Sequence, residues 1–150
     1  MVDEVDVRVI RVPRSFAGRI DAETISQGLD VVAATLLNNN QLRFQAERGP
    51  NGQPWRRSAR AQRDGGRTLF DTSSLFRSIQ IFSPSRDTRI ITVDPTATNR
   101  RTGVPVLRYA RAHQLGLGNN PVRRFLGIAN TDRTDGARVF RAHIRNALNQ

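Results

Sequence analysis

The longest periodic signal in the chain runs from Ile25 to Phe44. Ile25, Leu29, Val32 and Leu36 follow one another at spacings of four, three and four, and Ala33, Leu37 and Phe44 extend the same face. That period is one side of an α-helix. Asp21 stands where an N-cap belongs, Glu23 lies near the positive end of the dipole, and Gly49-Pro50 stops the run. One long amphipathic helix is therefore predicted, continuing to about residue 48. Asn38, Asn39 and Asn40 weaken its middle, which predicts a solvent-facing stretch or a slight break there. Such a stripe has to be covered, and 37% apolar residues with a mean hydropathy of -0.50 leave only a small core to cover it.

The remaining elements are shorter. Val5, Val7 and Val9 alternate with Asp6, Arg8 and Ile10, as in a half-buried strand over residues 5–12; Pro13 ends it and Gly18 turns the chain. Residues 49–68 hold Trp55 as their one large apolar group, which predicts a long loop unable to offset its own ordering entropy. Asp71 or Thr72 caps a short helix through Leu75, Phe76 and Ile79. Ile79 to Phe82 and Thr88 to Val93 read as two strands, with Pro84 in the turn between them. Residues 95–106 form a second polar loop, and a helix from about Leu107 to Gln114 ends at Gly116. Asn119-Asn120-Pro121 turns the chain into a last helix, from Asp132 or Asp135 to Leu148. That helix points Phe140, Ile144 and Ala147 inward and leaves Arg138, Arg141 and Arg145 as a solvated stripe.

The expectation is one α+β domain spanning residues 1–150. A small antiparallel sheet of three to four strands packs against the long N-terminal helix and the C-terminal helix, with two long loops projecting.

All 24 basic residues are arginine, and the net charge is +11. Residues 41–70 carry a net +5 and residues 100–124 a net +6, so the rest of the chain is neutral. Concentrated positive charge on loops suits phosphate, an acidic protein face or water. Arg56, Arg57, Arg60, Arg63, Arg100 and Arg101 are the candidates for contact with a DNA channel or an acidic partner. Without interleaved stacking aromatics they do not form a single-strand recognition surface. With no cysteine, disulfides and thiolate chemistry are excluded. No apolar run approaches the roughly 20 residues of a membrane span. The acidic start, Met1-Val2-Asp3-Glu4, is unlike a signal peptide, so a soluble protein made in a cytoplasm is expected.

A catalytic reading finds little material. His113 and His143 are the two histidines, 30 positions apart, and several acids stand at helix starts. No nucleophile elbow, P-loop or paired metal-ligand histidines occur. No catalytic, cofactor-binding or metal residue is assigned. His113 is expected as a partly buried histidine near a helix C-terminus. Trp55, on a loop stiffened by Pro54, is either a lid over the core or an anchor for a neighbouring subunit. Phe125 and Leu126 divide between core and rim in the same way. Tyr109 and His113 share one helix face, with Arg111 and Gln114 pointing elsewhere.

Five islands occur in a fixed order: Arg43-Phe44; Pro50 to Trp55; Leu75-Phe76-Arg77-Ser78-Ile79; Tyr109 to Gly116, with Ala110, His113 and Gln114 inside it; and Pro121 to Gly127, with Arg123, Phe125 and Leu126. In order and rough spacing, from about residue 22 to the C-terminus, they resemble the phage virion morphogenesis family, the Mu-like tail completion proteins. Two positions depart from that pattern: Leu117 stands where the family has a second glycine, and Arg124 where it has proline. The resemblance implies a structural protein of the virion neck that caps the tail tube and helps join tail to head. It implies a ring of copies, commonly six, around the DNA channel, in contact with tail-tube and connector proteins. Location at the top of the tail and assembly in the host cytoplasm also come with it, with the tail either contractile or not. No cofactor accompanies this role. The interface candidates under it are Phe44, Pro54, Trp55, Tyr109, His113, Gly116, Arg123, Phe125 and Leu126. In a ring, residues 49–68 and 95–106 are expected to order only against the next subunit. The alternatives are a basic nucleic-acid-binding domain and a part of a phage-derived headless particle.

Overall fold

A computed structural model describes residues 7–9 and 20–149. Its elements are β1 (Val7–Val9), α1 (Ala22–Gln45), α2 (Ala59–Asp64), α3 (Ser74–Ser78), β2 (Ile79–Ser85), β3 (Thr88–Val93), α4 (Val106–Leu115) and α5 (Asn130–Leu148). Of the expected strand at residues 5–12, only residues 7–9 lie within the described set, and Pro13 and Gly18 lie outside it. Helix and antiparallel sheet are mixed, with long helices near either end of the chain, as the apolar periods predict.

Helix α1 is the frame. Asp21 caps it, accepting a hydrogen bond from the Thr24 N–H at 2.7 Å, and Leu29, Val32, Ala33, Leu36 and Phe44 are buried along one stripe. The expected weakness at Asn38-Asn39-Asn40 is not there: the helix is continuous, and Asn40 is fully buried. Two of these asparagines bond to residues about 90 positions away, described below, so they face protein where solvent was expected. The helix stops at Gln45, about a turn earlier than its periodicity suggests.

The sheet has the order β1–β3–β2 among the described residues, antiparallel throughout. Ile79 pairs with Val93 and Ile81 with Ile91, and these pairs face α1. Gln80–Thr92 and Phe82–Ile90 occupy the other face, as alternation requires. Strand β2 continues through Pro84, where a turn was expected. Proline is tolerated because β2 is an edge strand and the register is irregular between Phe82 and Ser85. Arg89 of β3, 4% exposed, reaches inward to Asp30 at 2.5 Å and to Ser26 of α1.

Helix α5 lies antiparallel along α1. A Cβ on Gly28 would touch the Phe140 ring, and one on Gly136 would meet Val32. The expectation that α5 covers the sheet is thus corrected, because it packs chiefly on α1. It begins at Asn130, before either expected cap, and Asp132 accepts the Ala129 N–H at 2.7 Å from the first turn. Arg138, Arg141 and Arg145 are exposed as expected.

Both segments expected as unsupported loops are fastened within the subunit. In residues 49–68, Gly49 N–H donates to the Gln53 carbonyl and Trp55 N–H to the Glu47 carbonyl. Helix α2 follows, capped by Ser58, and Ala61 and Thr68 are buried. In residues 95–106, the Asp94 carboxylate accepts from Thr96, and Asn99 N–H donates to the Val104 carbonyl in a small hairpin. Asp71 and Thr72 do not cap α3. Its N-cap is Ser73, and Asp71 is held by Arg60 and Arg101.

Candidate functional site

The islands meet at one place. Helix α4 ends against the segment 121–127, and Gln114, expected off the face shared by Tyr109 and His113, is 8% exposed and faces that segment. Its Nε2 donates to the Leu126 carbonyl at 2.8 Å, and its Oε1 accepts from the N–H groups of Phe125 and Leu126 at 3.0 and 3.2 Å. A glutamine is suited to this because one side chain carries both donor and acceptor. Segment 121–127 has no ladder partner of its own, so Gln114 stands in for one.

His113, one position earlier, takes the neighbouring stretch. Its carbonyl accepts the Arg123 N–H at 2.7 Å, and its Nδ1 accepts from Arg123 Nη1 at 3.1 Å. Arg123 Nε in turn donates to the Arg56 carbonyl at 2.7 Å. Burial, and then the charge of Arg123, push the His113 pKa down to about 4. The ring is therefore neutral near pH 7, with its proton on Nε2. Gly116, at φ +71°, ends α4 in the left-handed region and returns its N–H to the Ala112 carbonyl.

The third fastening comes from α1. Arg43 forks onto Asp132 at 2.9 and 3.0 Å and also donates to the Gly127 carbonyl at 3.0 Å. Asn40 Oδ1 accepts the Gly127 N–H at 3.2 Å, and Asn39 donates to Asp132 at 2.9 Å. Gly127 must be glycine, because a Cβ there would run into the Pro50 ring. The Asp132 carboxyl stays below its ordinary range: burial would raise it, but hydrogen bonds from Arg43, Ala129 and Asn39 outweigh that.

The aromatic candidates lie inside this frame. Phe44, Phe125 and Leu126 are at most 1% exposed, and Trp55 is 8% exposed. Phe44 packs edge-on to Trp55, Phe70 and Phe125, with centroids 5.1–5.9 Å apart. Trp55 Nε1 donates to the Arg124 carbonyl at 3.0 Å. These four side chains are thus spent within the subunit, and Trp55 is a lid on the core. Pro54 is exposed. Arg124 supplies its backbone carbonyl to Trp55, and its side chain stays exposed.

A cleft of about 220 Å³ opens beside the frame, between the two basic segments. Ser58, Arg60, Asp71, Asn99, Tyr109 and His113 are among the residues lining it. Burial, with the nearby charge of Asp71, raises the Tyr109 phenol against a hydrogen bond from Asn99. Most loop arginines are engaged nearby. Arg57 donates to the Ala61 and Gly66 carbonyls, Arg60 to the Arg67 carbonyl at 2.6 Å, Arg63 pairs with Asp64, and Arg101 forks onto Asp71. Arg56 and Arg100 extend outward. No cluster of three or more metal-ligating side chains occurs among the described residues.

Asn39, Asn40 and Asp71 were passed over in the sequence, where they read as weak helix or as a cap. Leu117, where the family has a second glycine, and Val122, in the last island, are exposed apolar groups.

The model of the phage virion morphogenesis family matches residues 18–145. No curated protein and no solved structure gives a significant match. No helix among the described residues is long and apolar enough to cross a membrane.

Proposed function

The chain belongs to the phage virion morphogenesis family, and from that premise we propose that it is a tail completion or terminator protein of the phage neck. In this reading it caps the tail tube and helps join tail to head as a ring of copies around the DNA channel. Tail-tube and connector proteins are its partners, it works at the top of the tail after assembly in the host cytoplasm, and it performs no catalysis.

One observation carries the proposal. The residues that make the chain resemble its family, from Arg43 through Gly127, are joined into a single fastened frame, and His113 is held neutral as the acceptor for Arg123. A part that must present fixed surfaces to several neighbours needs such a frame. Arg56 and Arg100 remain outward and suit sequence-independent contact with passing DNA. The loop arginines already committed to carbonyls and carboxylates weigh against a dedicated nucleic-acid-binding domain.

Negative-stain microscopy of the purified protein, alone and with tail tubes, tests the proposal. Annular particles with a central hole, or capped tube ends, are expected. Dispersed single subunits and bare tube ends under both conditions would remove it.

A further inference from the structure

Helix α5 carries two unlike faces. One lies against α1: Asp132 bonds Arg43, a Cβ on Gly28 would touch the Phe140 ring, and His143 Nε2 donates to the Thr24 carbonyl at 3.1 Å. Half a turn around the helix stand Thr134, Arg138, Arg141 and Arg145, all exposed. Arg138 pairs with Asp135 at 3.1 Å, an acid that also accepts from Asn39. Arg141 and Arg145 have no hydrogen-bond or ion-pair partner among the described residues. Residues 136–150 contain no acid at all.

A face that meets only water is built differently. Solvated helix faces mix the two signs, because like charges three and four positions apart repel and opposite ones attract. Arg138, Arg141 and Arg145 stand at those spacings and repel. The negative end of the helix dipole accounts for Arg145, in the last turn, but not for Arg138 or Arg141. A protein contact is also built differently, with an apolar centre inside a polar rim. Beside these arginines stand Thr134, Ala137 and Ala142, and the exposed Leu148 lies at the helix end.

Duplex DNA supplies what the row lacks. The three arginines cover about 10 Å along the helix axis, and an equal length of duplex carries roughly six phosphate charges. Small neighbours let a phosphate backbone come close, and the Thr134 hydroxyl is a further donor to it. The loop arginines Arg57, Arg60, Arg63 and Arg101 are instead held within the subunit. We infer that the outward face of α5, through Arg138, Arg141 and Arg145, contacts the phosphate backbone of duplex DNA without reading its sequence. That this DNA passes through a ring rests on the function proposed above; the phosphate contact does not.

The probe is a fluorescein-labelled duplex of about 20 base pairs, titrated with the full chain between about 0.05 and 0.2 M salt and read by anisotropy. Binding should fall steeply with salt. The triple variant Arg138→Gln, Arg141→Gln, Arg145→Gln should lower the slope of log K against log salt by about two to three, and weaken binding at the lowest salt about tenfold or more. Arg141→Gln alone should lower the slope by about one. Arg138→Lys, Arg141→Lys and Arg145→Lys together should keep it, since the contact is to charge. Arg77→Gln, or Arg56→Gln with Arg100→Gln, should change it less than the triple glutamine variant does. An unchanged slope in that variant overturns the inference, and so does a larger loss in the loop pair. Poly-glutamate held by the wild type more tightly than the duplex, at equal charge, overturns the choice of DNA over an acidic protein.

Negative-stain microscopy separates this inference from the ring. The triple glutamine variant should form the same annular particles as the wild type. Their loss in the variant would make the stripe a contact between copies and overturn the DNA contact. A wild type without annular particles overturns the ring, while the titration still decides the phosphate contact.

Discussion

At the residue scale, two adjacent side chains of α4 carry the frame by different chemistry, and each makes its own prediction. Gln114 meets three backbone groups of Phe125 and Leu126. Gln114→Ala strands all three in a buried place, so a loss of about 3 kcal/mol is expected in urea unfolding. A loss under about 1 kcal/mol would mean that water replaces the amide. His113 makes a prediction about acid. Its folded pKa, about 4, lies below the ordinary 6.5, so the unfolded chain binds a proton first as pH falls. Stability from this group is therefore complete above about pH 6.5 and lost progressively down to about pH 4. The loss is no more than about 3 kcal/mol, and smaller because the ring keeps some contact with water. The lowered carboxyls of Asp21, Asp94 and Asp132 act below their ordinary 3.8, a separate window. Thermal melts between pH 7 and 4 should slope downward for the wild type and flatten in His113→Asn. Identical slopes would place the titrating group elsewhere.

At the element scale, what could be read in the sequence was what repeats. The period from Ile25 to Phe44 predicts α1, and the run from Thr88 to Val93 reads as the strand that β3 is. Helix α2 was hidden because its six residues bury a single alanine, Ala61, and so show no period. Pro84 misled because a strand edge and a turn tolerate proline alike. The asparagines of α1 misled because their partners, Gly127 and Asp132, lie about 90 residues ahead, and no local pattern announces them. Of the candidate site, the motif residues are legible and Phe44 belongs to the apolar face of α1, whereas Trp55, Phe125 and Leu126 read equally as core or interface; all four point into the subunit. The order of segment 49–57 therefore depends on Trp55 rather than on a neighbour. Trp55→Ala removes a buried indole, its edge contact with Phe44 and its bond to the Arg124 carbonyl. A loss of about 3 to 5 kcal/mol is expected, and faster amide exchange should spread from Trp55 to Gly49 in the isolated subunit. Intact stability with impaired association would instead return Trp55 to an interface.

At the scale of the whole molecule, a net charge of +11 on 150 residues sets how copies approach one another. The charge is uneven, and nearly every acid near the basic segments is already held: Asp71 by Arg60 and Arg101, Asp64 by Arg63, Glu47 by the Thr68 N–H. Two subunits therefore meet as like charges at long range. If apolar contact joins them, its attraction acts over a few ångströms in a place closed to water. The two effects respond differently to salt. At 0.01 M the Debye length is about 30 Å and repulsion spans the approaching faces, whereas at 0.15 M it is about 8 Å. Apolar burial is not weakened over the same range. Self-association should therefore strengthen between 0.01 and 0.15 M salt, the reverse of what exposed ion pairs would give. Sedimentation velocity across that range checks it. Association that falls steadily with salt would mean that solvent-exposed pairs join the copies, and that apolar burial contributes little to holding them together.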